Sequence, residues 1–179
     1  TTILAYHVIG AGSDSPVDLP PATFRAQMEP LAARRVTRSL HAELDVEPRG
    51  VALTFDDAYA NFREVAWPIL RELELPAILY VPVGFVEGTR PPPIRGVDLP
   101  ACSFGDLRAM AAEGLEIGSH SLTHVDLRTL HDEDLERELR ESRDVLQDRL
   151  GVAVRTFCYP QAKWNPDVGN ATRRYYEPA

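Results

Sequence analysis

The chain of 179 residues is long enough for one domain with a sizeable core and too short for two comfortable ones. It is 44% hydrophobic and 26% charged, and its net charge of −8 argues against a polyanionic partner such as nucleic acid. No apolar run approaches the roughly 18 residues of a membrane span, and no charged-then-apolar leader opens the chain. The start at Thr1, directly on a strand-like run, reads as a trimmed end. Two cysteines, Cys102 and Cys158, permit at most one disulfide, without CxxC or zinc-finger spacing.

In chain order, Ile3–Tyr6 is a short apolar strand. Thr23 is placed to cap a helix whose apolar positions Phe24, Met28 and Leu31 fall at helical spacing. Val51–Phe55 is a second strand. Phe62, Val65, Ile69 and Leu73 mark an amphipathic helix with Pro68 as a kink or break. Ala77–Val81 is a third strand, and residues 87–101, with four prolines and two glycines, are a loop. Ser103 and Asp106 form a variant capping box opening a helix on Phe104, Leu107 and Met110 that closes at Gly114. Leu115–Ile117 is a fourth strand. Leu135, Leu139, Leu146 and Leu150 stripe a long charged helix ending at Gly151, its run DEDLERELRESRD reading as one solvated face. Val154–Tyr159 is a fifth strand, and no internal repeat is present.

This alternation predicts parallel strands covered by helices, with working residues at the carboxyl ends of the strands. The second strand ends in Asp56–Asp57, two like charges that repel unless something positive meets them. The fourth runs into HSLTH, placing His120 and His124 just beyond it. Alternation along the fifth puts Arg155, Phe157 and Tyr159 on one face. Two imidazoles at that spacing reach one metal ion if the chain between them is helical or tightly turned. A carboxylate then completes a set that leaves positions open for water and substrate. One aspartate would be held by the metal and the other by Arg155. Each motif alone has a bland reading: a solvated strand end, a surface histidine pair, an ordinary surface arginine. His7 follows a strand and reads equally as a rim residue or a core histidine. His41 and His131 read as solvent-facing, and Trp164 equally as a sugar-stacking platform or as core. A glycosidase built on Asp56 and Asp57 is disfavoured, because adjacent residues can hardly flank a glycosidic bond.

TFDDAY (54–59), HSLTH (120–124) and RTFCYP (155–160), in that order, resemble the motifs of the polysaccharide deacetylases, the NodB-homology domain of carbohydrate esterase family 4. The similarity runs from about Thr1 to Asp167, and the AYHVI opening is similar to the subgroup acting on bacterial exopolysaccharides. The resemblance implies an α/β fold, a distorted (β/α) barrel with fewer than eight strands. It implies Asp57, His120 and His124 as ligands of a divalent metal, zinc before cobalt or nickel. Asp56 would be the base, Arg155 would keep it ionised, and the Tyr159 amide would help bind an oxyanion. His7, Tyr159, Pro160 and Trp164 would face substrate. The implied reaction removes N-acetyl groups from an amino-sugar polymer such as peptidoglycan, a chitin-like chain or poly-N-acetylglucosamine. The setting would be secreted, periplasmic or associated with the cell envelope. The alternatives are a degenerate homologue that binds carbohydrate without turnover, or an O-acetyl xylan esterase. The chain departs from the family pattern in three places. Ala58 stands where glycine is usual, Gln161–Ala162 follow Tyr159–Pro160, and no Leu-x-His follows, leaving His7 as the rim candidate for the acid. The tail from about residue 168 reads poorly as a further strand–helix unit, so the single domain is expected to be incomplete or unordered there.

Overall fold

The computed structural model describes residues 2–37, 39 and 50–177, and His41 lies outside them. Four strands form one parallel sheet: β1 (Thr2–Tyr6), β4 (Val51–Phe55), β5 (Ile78–Val81) and β6 (Glu116–Ser119), in that spatial order. A small parallel ladder, β2 (Val8–Ile9) with β3 (Asp18–Leu19), follows β1. Every residue of β5 and the last four of β4 are buried, which explains their unbroken apolar reading, because helices cover both faces of a parallel sheet.

The helices are α1 (Pro21–Arg34), α2 (Trp67–Glu72), the single turn α3 (Val83–Val86), α4 (Phe104–Ala112), α5 (Asp132–Leu150) and α6 (Pro166–Thr172). Helix α1 starts two residues before the expected cap, so Thr23 lies inside it. Pro21, with φ preset and no N–H to satisfy, occupies its first turn. The break expected at Pro68 is a wide turn, Phe62–Ala66, in which the Trp67 N–H reaches back to the Phe62 carbonyl before α2 begins. The Ser103–Asp106 capping box is present with both reciprocal bonds, and Gly151 closes α5 in the left-handed conformation at φ 70°. Where the tail is expected to be unordered from about residue 168, helix α6 runs to Thr172, its Asn165 cap accepting from the Val168 N–H and its Val168 and Ala171 buried. In the core, Phe55 stacks on Tyr6 at 5.3 Å and meets Phe62 edge-on at 4.8 Å. Truncating a fully buried phenylalanine of this kind costs about 3–5 kcal/mol.

The fifth strand does not form. Residues 154–159 make one parallel bridge, Phe157 opposite Ser119, in which Ser119 N–H donates to the Thr156 carbonyl and Cys158 N–H to the Ser119 carbonyl. Pro160 has no N–H to continue the ladder, and the chain bends into a short 3-10 turn, Pro160–Ala162. Burial does not alternate either, with Thr156 and Phe157 both buried and Arg155 exposed. This segment nonetheless reveals the curvature of the sheet. From β4 through β5 and β6 to residue 158 is three strand steps, about 14 Å if the sheet were flat. Yet Cys158 Sγ lies 3.7 Å from Asp56 Oδ2, just past β4. The sheet therefore curls into the distorted barrel, drawing its carboxyl ends around one point.

Gly118 sits where that curl is tightest. A Cβ there would lie 2.3 Å from Tyr80 Cε1 and 2.9 Å from Thr156 Oγ1, both on buried side chains. Gly118→Ala is therefore expected to lower stability by about 1–3 kcal/mol, with the urea midpoint falling at constant slope. An unchanged midpoint would mean that the neighbours give way freely.

Candidate metal centre and active site

Register builds the site. Tyr6 pairs with Phe55, so the next residues, His7 and Asp56, leave the sheet side by side, and the Asp56 N–H donates to the Tyr6 carbonyl at 2.9 Å. His7 Nε2 lies 3.6 Å from Asp56 Oδ2. The chain then turns sharply: Asp57 has φ 74° and Ala58 φ 55°, both left-handed. Side chains of successive strand residues point apart, and this turn is what gives two adjacent aspartates different surroundings. Ala58 adopts a conformation in which glycine is unstrained.

Val81 pairs with Ser119, and the His120 N–H donates to the Val81 carbonyl at 3.0 Å, which brings the histidine loop over the same rim. HSLTH is a tight turn rather than a helix, with Ser121 at φ 68° and His124 at φ 57°. The Ser121 hydroxyl accepts the His124 N–H at 2.9 Å. The whole loop rests on a carboxylate of α5. Glu138, 3% exposed, accepts the Leu122 and Thr123 N–H groups and the Thr123 hydroxyl. Glu138 and Ser142 were hidden in a run read as solvated, although both lie on the apolar stripe of Leu135, Leu139 and Leu146 at helical spacing.

The result is a buried cluster. Asp57 Oδ1 lies 3.4 Å from His124 Nε2 and 3.7 Å from His120 Nε2, and the three ligand atoms are within 4.8 Å of one another. His120 Nδ1 lies 2.8 Å from the Cys158 carbonyl, a bond that leaves Nε2 free to face the cluster when Nδ1 carries the proton. Without a cation the arrangement is electrostatically poor. Asp57 Oδ1 and Asp56 Oδ1 are buried and have no hydrogen-bond partner among the described residues. Burial, then the charge of Asp56, pushes the Asp57 carboxyl up to about 8, and burial raises Asp56 to about 6. Burial also pushes His120 down to about 3 and His124 to about 4. Burial thus leaves both imidazoles neutral, the form that ligates a metal, and disfavours the ionised Asp57 carboxylate, a cost that a bound dication offsets.

Arg155 is not part of this cluster. Its side chain is 55% exposed, with Nε 3.9 Å from a Glu177 carboxylate oxygen, because residues 155–157 do not alternate as a strand would. Asp56 meets His7 and the Cys158 thiol instead. Cys158 is the site residue that sequence reasoning missed, since only the curled sheet carries it to Asp56. Both cysteines are free thiols. Replacing Arg155 with Met removes only an exposed ion pair, worth about 0–1 kcal/mol, so turnover is expected to stay within about twofold of the parent. A loss of activity comparable to that of an Asp56 variant would return Arg155 to the site.

Tyr159 follows Cys158, and its N–H has no acceptor among the described residues, whereas Pro160, expected to face substrate, is buried. Trp164 is 58% exposed, which rules out the core reading, and its ring lies 6.5 Å from that of Tyr159. His131 is solvent-facing, as read. A cavity of about 1040 Å³ between α5 and α6, lined by Arg137, Asn165 and Arg174 among others, contains none of Asp56, Asp57, His120, His124 and Cys158. Chemistry rather than volume therefore identifies the site.

One protein-family profile, polysaccharide deacetylase, matches residues 43–176. The chain is 32% identical over 132 residues to a chitin deacetylase of Colletotrichum lindemuthianum, covering 73% of this chain and 49% of that protein. It is 31% identical over 120 residues to a chitooligosaccharide deacetylase of Sinorhizobium fredii, covering 66% and 49%. The chain thus spans about half the length of these curated relatives. Its fold is similar to that of a Streptococcus pyogenes deacetylase solved in complex with acetate. The TM-score is 0.83 at 23% identity, over 97% of this chain and 79% of that one, a likeness of fold.

Proposed function

The chain belongs to the polysaccharide deacetylase family, and from that membership we propose that it is a metal-dependent N-deacetylase releasing acetate from an N-acetylated amino-sugar polymer. The observation that carries the reading is the Asp57–His120–His124 cluster, whose buried carboxylate oxygen has no partner although two imidazoles face it. Two nitrogens and one carboxylate oxygen, with further positions open, fit a divalent ion, and zinc first among them. When bound, such an ion acidifies a water and polarises the acetyl carbonyl.

The other roles belong to the chain's own residues. Asp56 takes the proton of the attacking water, and its carboxyl, raised to about 6, is still ionised at neutral pH. His7, 3.6 Å from Asp56, is placed on the same rim to return a proton to the leaving amine. The unpaired Tyr159 N–H offers a donor to the oxyanion of the tetrahedral intermediate. The exposed Trp164 ring, near Tyr159, offers an apolar face to a sugar ring. Polymers of this kind lie in cell walls and extracellular matrices, which agrees with a secreted, periplasmic or envelope setting.

The test is acetate release from peptidoglycan, chitin oligomers, poly-N-acetylglucosamine and acetylated xylan, with metal analysis of the same preparation. Release from an amino-sugar polymer, abolished by chelation and restored by zinc or cobalt, is the expected result. Glycan binding by metal-loaded protein without acetate would instead identify a carbohydrate-binding homologue, and release from xylan alone an O-acetyl esterase.

A further inference from the structure

His120 belongs to two sets of donors. Besides Asp57 and His124, its imidazole lies with the Asp56 carboxylate and the Cys158 thiol, and the ligand atoms of these three are also within 4.8 Å of one another. The backbone delivers the thiol there. Cys158 N–H donates to the Ser119 carbonyl, while the Cys158 carbonyl meets His120 Nδ1, so residue 158 is clamped against residues 119 and 120. Its Sγ then lies 3.7 Å from Asp56 Oδ2. The other Asp56 oxygen, Oδ1, is buried without a partner on a residue only 7% exposed. An orphaned carboxylate oxygen beside a thiol and an imidazole is a cation-binding set, and the sulfur gives it a different preference from its neighbour. Nitrogen and oxygen donors suit zinc and its relatives; a thiolate binds zinc too, but its softness adds more for ions such as cadmium.

We propose that Asp56, His120 and Cys158 form a second cation site, selective for thiophilic divalent ions of the cadmium class, which competes with the Asp57–His120–His124 set for the shared imidazole. Binding exchanges the S–H bond of Cys158 for a sulfur–metal bond. The proton leaves to solvent, and no electron is transferred. The proposal rests on the assigned metal centre only for its consequence: an ion held by Asp56 prevents that carboxylate from accepting a proton, so it inhibits. Binding itself is read without turnover.

The experiment is a cadmium chloride titration of the metal-free full chain, followed by the ultraviolet sulfur-to-cadmium charge-transfer band. One band per chain is expected, absent in Cys158→Ala and retained in Cys102→Ala, whose native thiol is buried against the Tyr59 carbonyl away from both sets. Cys158→Ser preserves the side-chain shape and should bind cadmium at least about tenfold more weakly, a difference of about 1.4 kcal/mol, while its zinc affinity is unchanged. Cadmium should also protect Cys158 from alkylation by iodoacetamide, with the modified residue located by mass spectrometry. This pattern establishes the site even if the chain releases no acetate from any polymer. A band that survives in Cys158→Ala, no band in the parent protein, or alkylation of Cys158 undiminished by cadmium would each overturn it.

Discussion

Asp57→Asn is expected to lose metal and regain part of its activity at high metal concentration, whereas Asp56→Asn should keep its metal and stay inactive. The two residues are chemically identical neighbours, so only the backbone separates their work. Asp56 still lies on the line of β4, tied by its N–H to the Tyr6 carbonyl, and faces His7 and Cys158. Asp57, at φ 74°, is turned away to place Oδ1 3.4 and 3.7 Å from the two imidazoles. An asparagine at 57 keeps an oxygen but removes the negative charge that a dication needs in a buried site, weakening binding by at least about tenfold. An asparagine at 56 leaves Asp57, His120 and His124 untouched and removes the group that accepts the water's proton. Loss of a general base of this kind lowers the rate by about 10²–10⁴. Metal stoichiometry measured beside acetate release, over a metal titration of both variants, distinguishes them. Metal lost from Asp56→Asn and retained by Asp57→Asn would reverse the assignment.

What was legible in the sequence was local. Val51–Phe55 reads as a buried strand because every side chain on it is apolar or small, and Asp56–Asp57 stand out because they end it. HSLTH is legible because its spacing needs only a tight turn to bring two imidazoles together. What was hidden depends on contacts distant in sequence. That RTFCYP would make a single bridge instead of a strand, leaving Arg155 in solvent, follows from Pro160 and from the edge of β6. The meeting of Cys158 with Asp56 spans 102 positions and requires the curled sheet. His7 was legible as a rim residue, but its partner was fixed by the β1–β4 register, which no local pattern specifies. Glu138 is the instructive miss. It lies three residues after Leu135 and one before Leu139, inside the buried stripe, and a charge in that position signals a specific partner.

That partner is the histidine loop, and Glu138→Gln is expected to weaken metal binding without touching a ligand. Ser121 and His124 hold left-handed backbone conformations at φ 68° and 57°, which for residues other than glycine cost on the order of 1 kcal/mol or more each and persist only under constraint. Glu138 supplies that constraint. Its Oε2 accepts the Leu122 and Thr123 N–H groups at 3.0 and 2.9 Å, and its Oε1 the Thr123 hydroxyl at 2.5 Å. Glutamine keeps one acceptor oxygen but presents an amide NH2 to donors that can no longer pair, so the loop relaxes while α5 keeps its packing. Alanine leaves three half-buried donors unpaired, each costing up to about 1 kcal/mol, and should lower global stability as well. Supports of this kind behind metal ligands typically contribute about 10- to 100-fold in affinity. The measurement is zinc affinity beside thermal unfolding for Glu138→Gln, with Thr123→Val removing only the hydroxyl bond as a milder companion. The expected result is a native circular-dichroism spectrum, zinc bound at least about tenfold more weakly, and activity recovered at saturating zinc. A Glu138→Gln protein that binds zinc as tightly as the parent would show that the turn holds its shape through Ser121 alone, and that the carboxylate of α5 serves stability rather than the metal centre.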